Sequence, residues 1–169
     1  MTKKILDVPK VKQLKNHCGP ASLSIVFAYY GLSMDQKKIA EEITDIYPTY
    51  KKNPIIKRGT DASHIVGYSR KKGFVAYRRE KATIDDLIIL IDKDIPPIVN
   101  TDYITERDAG HFSVITGYDL KKRKVYFNDP YNLRRSNFTF LLFETLWKAK
   151  ESRGDKRRCW NEFVSIRQK

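Results

Sequence analysis

The stretch "QLKNHCGPASLSIVFAYYG" (residues 13–31) sets a Cys-Gly-Pro between a polar segment and a run of apolar and small residues that closes on glycine. Leu23, Val26, Phe27 and Tyr30 recur at helical offsets, so the spacing predicts a helix that begins at or beside Cys18. Pro20 suits the first turn, where a missing N–H removes no intrahelical bond, and Gly31 suits the left-handed position just past the end.

A cysteine at that end of a helix sits in the positive end of the macrodipole. There the thiolate is favoured, and the pKa can fall from about 8.5 into the range of roughly 3.5 to 7.5. The same turn exposes backbone N–H groups without intrahelical partners, which can stabilise an oxyanion forming on a carbonyl that the sulfur attacks.

A thiolate nucleophile also needs a group to move protons. His111 opens an apolar strand in "AGHFSVITGYD" (109–119), and Asp129 ends the next strand in "VYFNDP" (125–130). A hairpin of those strands brings the start of the first near the end of the second. Asp129 can then take a hydrogen bond from one ring nitrogen of His111 while the other faces Cys18. Gln13, upstream of Cys18, carries an amide that can complete an oxyanion hole with the Cys18 N–H. Asn128 is the alternative orienting residue, and His17 and His64 are the competing bases. Each of these residues alone is ordinary: a small buried cysteine, a strand-end histidine, a turn aspartate.

Outward from this core of motifs, Ser33 with Gln36 reads as a capping box for a second helix through Ile39, Ala40 and Ile43, making a hairpin with the first. Residues 47–57, with Pro48 and Pro54, read as a loop; Thr60 or Asp61 caps a third helix that stops near Gly73. Residues 74–79 read as a strand. Thr83 with Asp86 opens an amphipathic helix through Leu87, Ile88, Leu90 and Ile91.

"PPIVNTDY" (96–103), "HFSVITGYD" (111–119) and "KVYFND" (124–129) are β-branched and aromatic runs, the last two joined through "DLKKRK" (119–124). Residues 141–148 fit a helix and "CWNEFVSIR" (159–167) a final strand, with Cys159 packed beside Trp160 and Tyr29 and Tyr30 in the core or between lobes. The fold class is therefore α+β: a helical lobe over about residues 13–95 packed on a mainly antiparallel sheet over about 96–169, in one domain spanning 1–169.

Bulk properties bound the function. A chain of 169 residues with 41% apolar content can bury one core without disulfide staples. Two cysteines and three scattered histidines offer no zinc spacing, and no metal or cofactor is expected. There is no signal-peptide pattern and no long apolar run, so the chain is expected to be soluble and cytoplasmic. The net charge of +13 favours anionic partners, but it is spread along the chain with no recognisable nucleic-acid-reading module, which ranks nucleic acid below a peptide as partner.

Together these residues resemble the papain-like cysteine peptidases of the bacteriocin-processing, double-glycine-leader type and their free-standing relatives. The resemblance is carried by Gln13 and "CGPASL" opening a helix that ends "YYG", "GTD" before the third helix, "IPPIV" before a strand, and "GHFSVITGYD" followed by "VYFNDP". It implies a papain-like peptidase fold, with Cys18 as nucleophile, His111 as general base and acid, Asp129 as orienting carboxylate and Gln13 in the oxyanion hole. Many transporter-fused relatives carry an acidic residue before the cysteine and the glutamine one position further upstream; here His17 precedes Cys18. The expected activity is thiol hydrolysis of a peptide or isopeptide bond in a peptide or protein substrate. Acyl or peptidyl transfer through the same thioester is the alternative, and a silent peptide- or nucleic-acid-binding relative is a third class.

Overall fold

The computed structural model describes residues 1–43, 46–47, 56–57, 60–102, 110–134, 136–147 and 161–169. Helix α1 (Cys18–Tyr29) begins on the cysteine. Its middle is apolar all round because it is buried all round: Leu23, Ile25, Val26 and Phe27 are each 0% exposed. Gly31, at φ +81°, turns the chain just past its end.

Helix α2 (Gln36–Ile43) packs Ile39, Ala40 and Ile43 inward beside α1. The expected capping box of Ser33 and Gln36 is not made. The chain enters this helix at Asp35, whose carbonyl accepts from Ile39 N–H and whose side chain accepts from Lys37 N–H at 2.6 Å. Gln36 instead bonds across to the lead-in segment, accepting from Leu14 N–H and donating to the Lys12 carbonyl, both at 2.9 Å. A capping pattern in sequence shows only that the side chain can reach its own backbone; here a distant backbone offers both a donor and an acceptor.

Helix α3 (Ala62–Lys71) is capped by Asp61, which accepts from His64 N–H, and the chain leaves it through Gly73 at φ +91°. Helix α4 (Ile84–Asp92) has the capping box expected of Thr83 and Asp86 and buries Leu87, Leu90 and Ile91. Helix α5 (Phe140–Trp147) buries Phe140, Phe143 and Trp147. The Trp147 indole N–H finds the Glu162 carbonyl at 2.9 Å.

Seven strands form one antiparallel sheet: β1 (Lys3–Ile5), β4 (Val75–Arg79), β5 (Ile98–Asp102), β6 (Gly110–Asp119), β7 (Lys124–Asn128), β8 (Asn137–Thr139) and β9 (Phe163–Arg167). The order is β4-β9-β5-β6-β7-β8, with β1 also on β6. On one edge of the long strand β6, β5 covers Gly110–Val114 and β1 covers Gly117–Asp119; β7 lies along the other edge. A separate pair, β2 (Ile46–Tyr47) with β3 (Ile56–Lys57), joins the two ends of the stretch expected to be loop.

The sheet thus draws β4 from the stretch assigned to the helical lobe and β1 from the residues before it. Gly117 makes the β1 contact possible, because a Cβ there would stand 2.4 Å from the Lys4 carbonyl oxygen and 2.8 Å from Ile5 Cα. Tyr30 packs against the core and donates to the Ile166 carbonyl at 2.8 Å. Cys159 and Trp160 lie outside the described residues. No helix among the described residues is long and apolar enough to cross a membrane.

Candidate active site

The segment before α1 makes a tight turn, with Asn16 at φ +61° and His17 N–H on the Leu14 carbonyl at 3.0 Å. That turn delivers Cys18 to the helix start against β6. Gly19 permits the close approach: a Cβ there would stand 2.2 Å from Thr60 Cγ2 and 3.4 Å from the Phe112 ring. The Cys18 sulfur is in hydrogen-bond contact with the His111 ring and near the backbone N–H groups of Phe112 and Gly19. Burial by itself would raise the thiol pKa; the His111 contact and charge, with those two N–H groups, hold it below the ordinary thiol value.

His111 is the second residue of β6, paired with Thr101 of β5, and is 8% exposed. Its Nε2 lies 2.8 Å from Asp129 Oδ1, which leaves Nδ1 as the nitrogen turned to the sulfur. The β6–β7 register explains the meeting. Val114 pairs with Asn128, so one further step sets Asp129 opposite Ser113, which shares a sheet face with His111. Burial pulls the His111 pKa down, but the hydrogen bonds and charges of Asp129 and Cys18 carry it up to about 9.

Asp129 is 2% exposed and its Oδ1 also accepts from Tyr131 N–H at 2.8 Å and Asn132 N–H at 3.2 Å. Burial opposes its ionisation; the His111 hydrogen bond and charge and these backbone donors outweigh it and hold the carboxyl below the usual range. The three shifts favour one proton distribution: thiolate, imidazolium, carboxylate. Such an array supplies a nucleophile and, beside it, a proton donor for a leaving group.

Gln13 is anchored at this site by its backbone, whose N–H donates to the Pro130 carbonyl at 2.9 Å in the turn that follows Asp129. Gln36 clamps the residues on either side of it. The Gln13 side-chain oxygen is buried without a hydrogen-bond partner among the described residues.

The competing residues are placed elsewhere. His17 Nδ1 is 2.6 Å from the Lys15 carbonyl. His64 lies in α3 with Nδ1 3.6 Å from Asp61 Oδ2. The Asn128 Nδ2 donates to the carbonyls of Val8 and Pro9, both at 2.9 Å, tying the lead-in segment to the end of β7. Sequence reasoning missed Gln36, Gly19 and the Phe112 N–H. Only Gly19, in Cys-Gly-Pro, carried a visible signal. Among the described residues no cluster of three or more His, Cys, Asp or Glu is placed to hold a metal ion.

Comparison with known proteins agrees with this architecture. No curated protein matches the chain. Among solved structures, a C39-like peptidase from Bacillus anthracis superposes with TM-score 0.76 at 19% identity, covering 99% of this chain and 98% of the other. The peptidase domain of Streptococcus ComA, a bifunctional ABC transporter of a quorum-sensing pathway, gives TM-score 0.66 at 20% identity, with 98% of each chain covered. A double-glycine-motif protease from an AMS/PCAT transporter, solved with the leader peptide, gives 0.64 at 18% identity, covering 98% of this chain and 95% of the other. At these identities the likeness is one of fold, and that fold is papain-like. The family described as Peptidase_C39 like matches residues 5–154. With most of its length matched, the chain belongs to the Peptidase_C39 like family, which supports peptidase function in general.

Proposed function

We propose that the protein is a cysteine peptidase that hydrolyses a peptide or isopeptide bond through an acyl-enzyme thioester, with residues 1–169 acting as one papain-like domain. The observation that carries this is the contact of the Cys18 thiol with His111, whose other ring nitrogen is 2.8 Å from Asp129. The Cys18 thiolate attacks the scissile carbonyl carbon, and the carbonyl oxygen takes up the negative charge. The Cys18 N–H, without an intrahelical partner, and the Gln13 amide donate to that oxygen.

His111 then gives its Nδ1 proton to the departing amine as the C–N bond breaks, leaving the acyl group on sulfur. Next it takes a proton from water, whose oxygen attacks the thioester, and the released thiolate regains its imidazolium partner. Asp129 keeps the proton on Nε2 and stabilises the cation throughout. That a related protease has been solved with a leader peptide supports a peptide as substrate.

The test is intact-mass analysis after a thiol-directed peptide probe, with a fluorogenic peptide mixture read alongside. Wild-type protein is expected to gain one adduct, mapped to Cys18, and to cleave; Cys18→Ala should do neither. Cleavage by Cys18→Ala, or a Cys18 no more reactive than Cys159, would refute the proposal.

A further inference from the structure

Two segments meet at one edge of the site, and both are cationic. The lead-in carries Lys10, Lys12 and Lys15, all exposed, and Arg134 closes the turn that begins at Asp129. The segments are joined by the Gln13 N–H to the Pro130 carbonyl and by the Asn128 amide to Val8 and Pro9. The lysines are laid on the turn itself: Lys12 Nζ donates to the Tyr131 carbonyl and stands 5.3 Å above the Tyr131 ring, and Lys10 Nζ reaches the Leu133 carbonyl at 3.4 Å. Tyr131 is 52% exposed.

Little opposes this charge. Among the described residues none of the four cations is within ion-pair distance of a carboxylate. Asp129 is engaged with His111, Asp35 accepts from Lys37 N–H at the start of α2, and Asp7 is exposed further back along the lead-in.

The chemistry fixes which part of a substrate passes here. The departing amine must lie beside the imidazole that protonates it, and the oxyanion beside Gln13. The segment bonded to that amine therefore leaves over the edge formed by His111, Gln13 and the Pro130–Tyr131 turn. We infer that Lys10, Lys12, Lys15 and Arg134, with Tyr131 as an aromatic platform, form a subsite rim that selects acidic side chains on the segment following the scissile bond. The inference presupposes the peptidase chemistry proposed above.

At a separation of about 8 to 10 Å in watery surroundings, a unit charge gains about twofold from each cation at low salt. Neutralising three of them should therefore cost an anionic reactant roughly three- to eightfold. The triple variant Lys12→Gln, Lys15→Gln, Arg134→Gln tests this with two alkylating agents of nearly equal size, iodoacetate and iodoacetamide. In both, the Cys18 sulfur bonds to the methylene carbon and iodide leaves, so their rate ratio isolates the charge. The ratio of iodoacetate to iodoacetamide rate should fall about three- to eightfold in the variant, and the wild-type ratio should fall toward the variant's as salt is raised.

A second arm scores cleavage of peptide mixtures with Asp or Glu against Asn or Gln at the first three positions after the cleaved bond. The wild type should prefer the acidic members and the variant should not. An unchanged alkylation ratio, or an acidic preference confined to positions before the cleaved bond, overturns the inference. A Cys18 inert to both reagents would refute the cysteine-peptidase chemistry itself, a failure distinct from an unchanged ratio.

Discussion

Replacing Asp129 with Asn should narrow the pH range over which Cys18 and His111 are a thiolate–imidazolium pair, and from both sides. The substitution leaves a carbonyl oxygen able to accept from Tyr131 and Asn132 N–H, so the turn can persist, but it removes the charge next to His111. In the native site the His111 pKa is carried from 6.5 to about 9. That net elevation is worth roughly 3 kcal/mol in favour of imidazolium; burial works against it, and the Asp129 hydrogen bond is the largest of the contributions that raise it. Loss of even about 1.4 kcal/mol of that support lowers imidazolium stability about tenfold and the alkaline limb by about one pH unit.

The acid limb moves the opposite way. Burial opposes the Cys18 thiolate and the His111 cation stabilises it, so a weaker cation raises the pH at which the thiolate forms. The alkaline limb can be followed by NMR of the His111 ring protons. The acid limb is read from the rate of iodoacetamide alkylation, mapped to Cys18. If both limbs stayed in place in a variant with native melting behaviour, Asp129 would not be the electrostatic partner of His111.

Gln13→Ala should lower kcat/KM for peptides by about a hundredfold or more, as loss of one oxyanion donor does, with little effect on iodoacetamide alkylation, in which no oxyanion forms. Gly117→Ala should destabilise the fold by about 1 to 3 kcal/mol, because its Cβ would meet the Lys4 carbonyl at 2.4 Å, and hydrogen exchange should quicken at Lys3–Ile5; unchanged denaturant midpoints would contradict the β1 packing. The His111 cation contributes stability that is fully present below its unfolded pKa of 6.5 and is lost as pH rises through about 9. In a Cys18→Ala background, where the oppositely signed titration of the thiol is absent and Asp129 still raises the His111 pKa, the stability gap between His111 and His111→Ala proteins should therefore shrink from pH 6 to pH 10 in urea titrations; a gap growing with pH would invert the assigned sign.

What could be seen in the sequence was local. The start of α1 at Cys18, the Asp61 cap and the Thr83–Asp86 capping box depend on residues within four positions of one another. The apolar alternation of β6 and β7 with a short connection placed His111 near Asp129 without knowledge of the rest of the sheet. Strands β1 and β8 are each three residues long, and their pairing is fixed by partners rather than by their own composition. Gln36 and Asn128 each made a plausible local role, and each is spent on backbone more than 20 or 100 residues away. Side chains with good local uses are the ones a linear pattern misplaces, because a nonlocal partner of equal hydrogen-bonding power leaves no trace in nearby sequence.

The central claim is that Cys18 is the atom on which a substrate is carried. Rapid acid quench of wild-type protein turning over a peptide mixture, followed by intact-mass and peptide mapping, tests it directly. The account predicts a thioester-linked acyl fragment on Cys18, sensitive to hydroxylamine and missing in Cys18→Ala. Turnover with no such adduct, or an adduct on another residue while Cys18→Ala still cleaves, would contradict it.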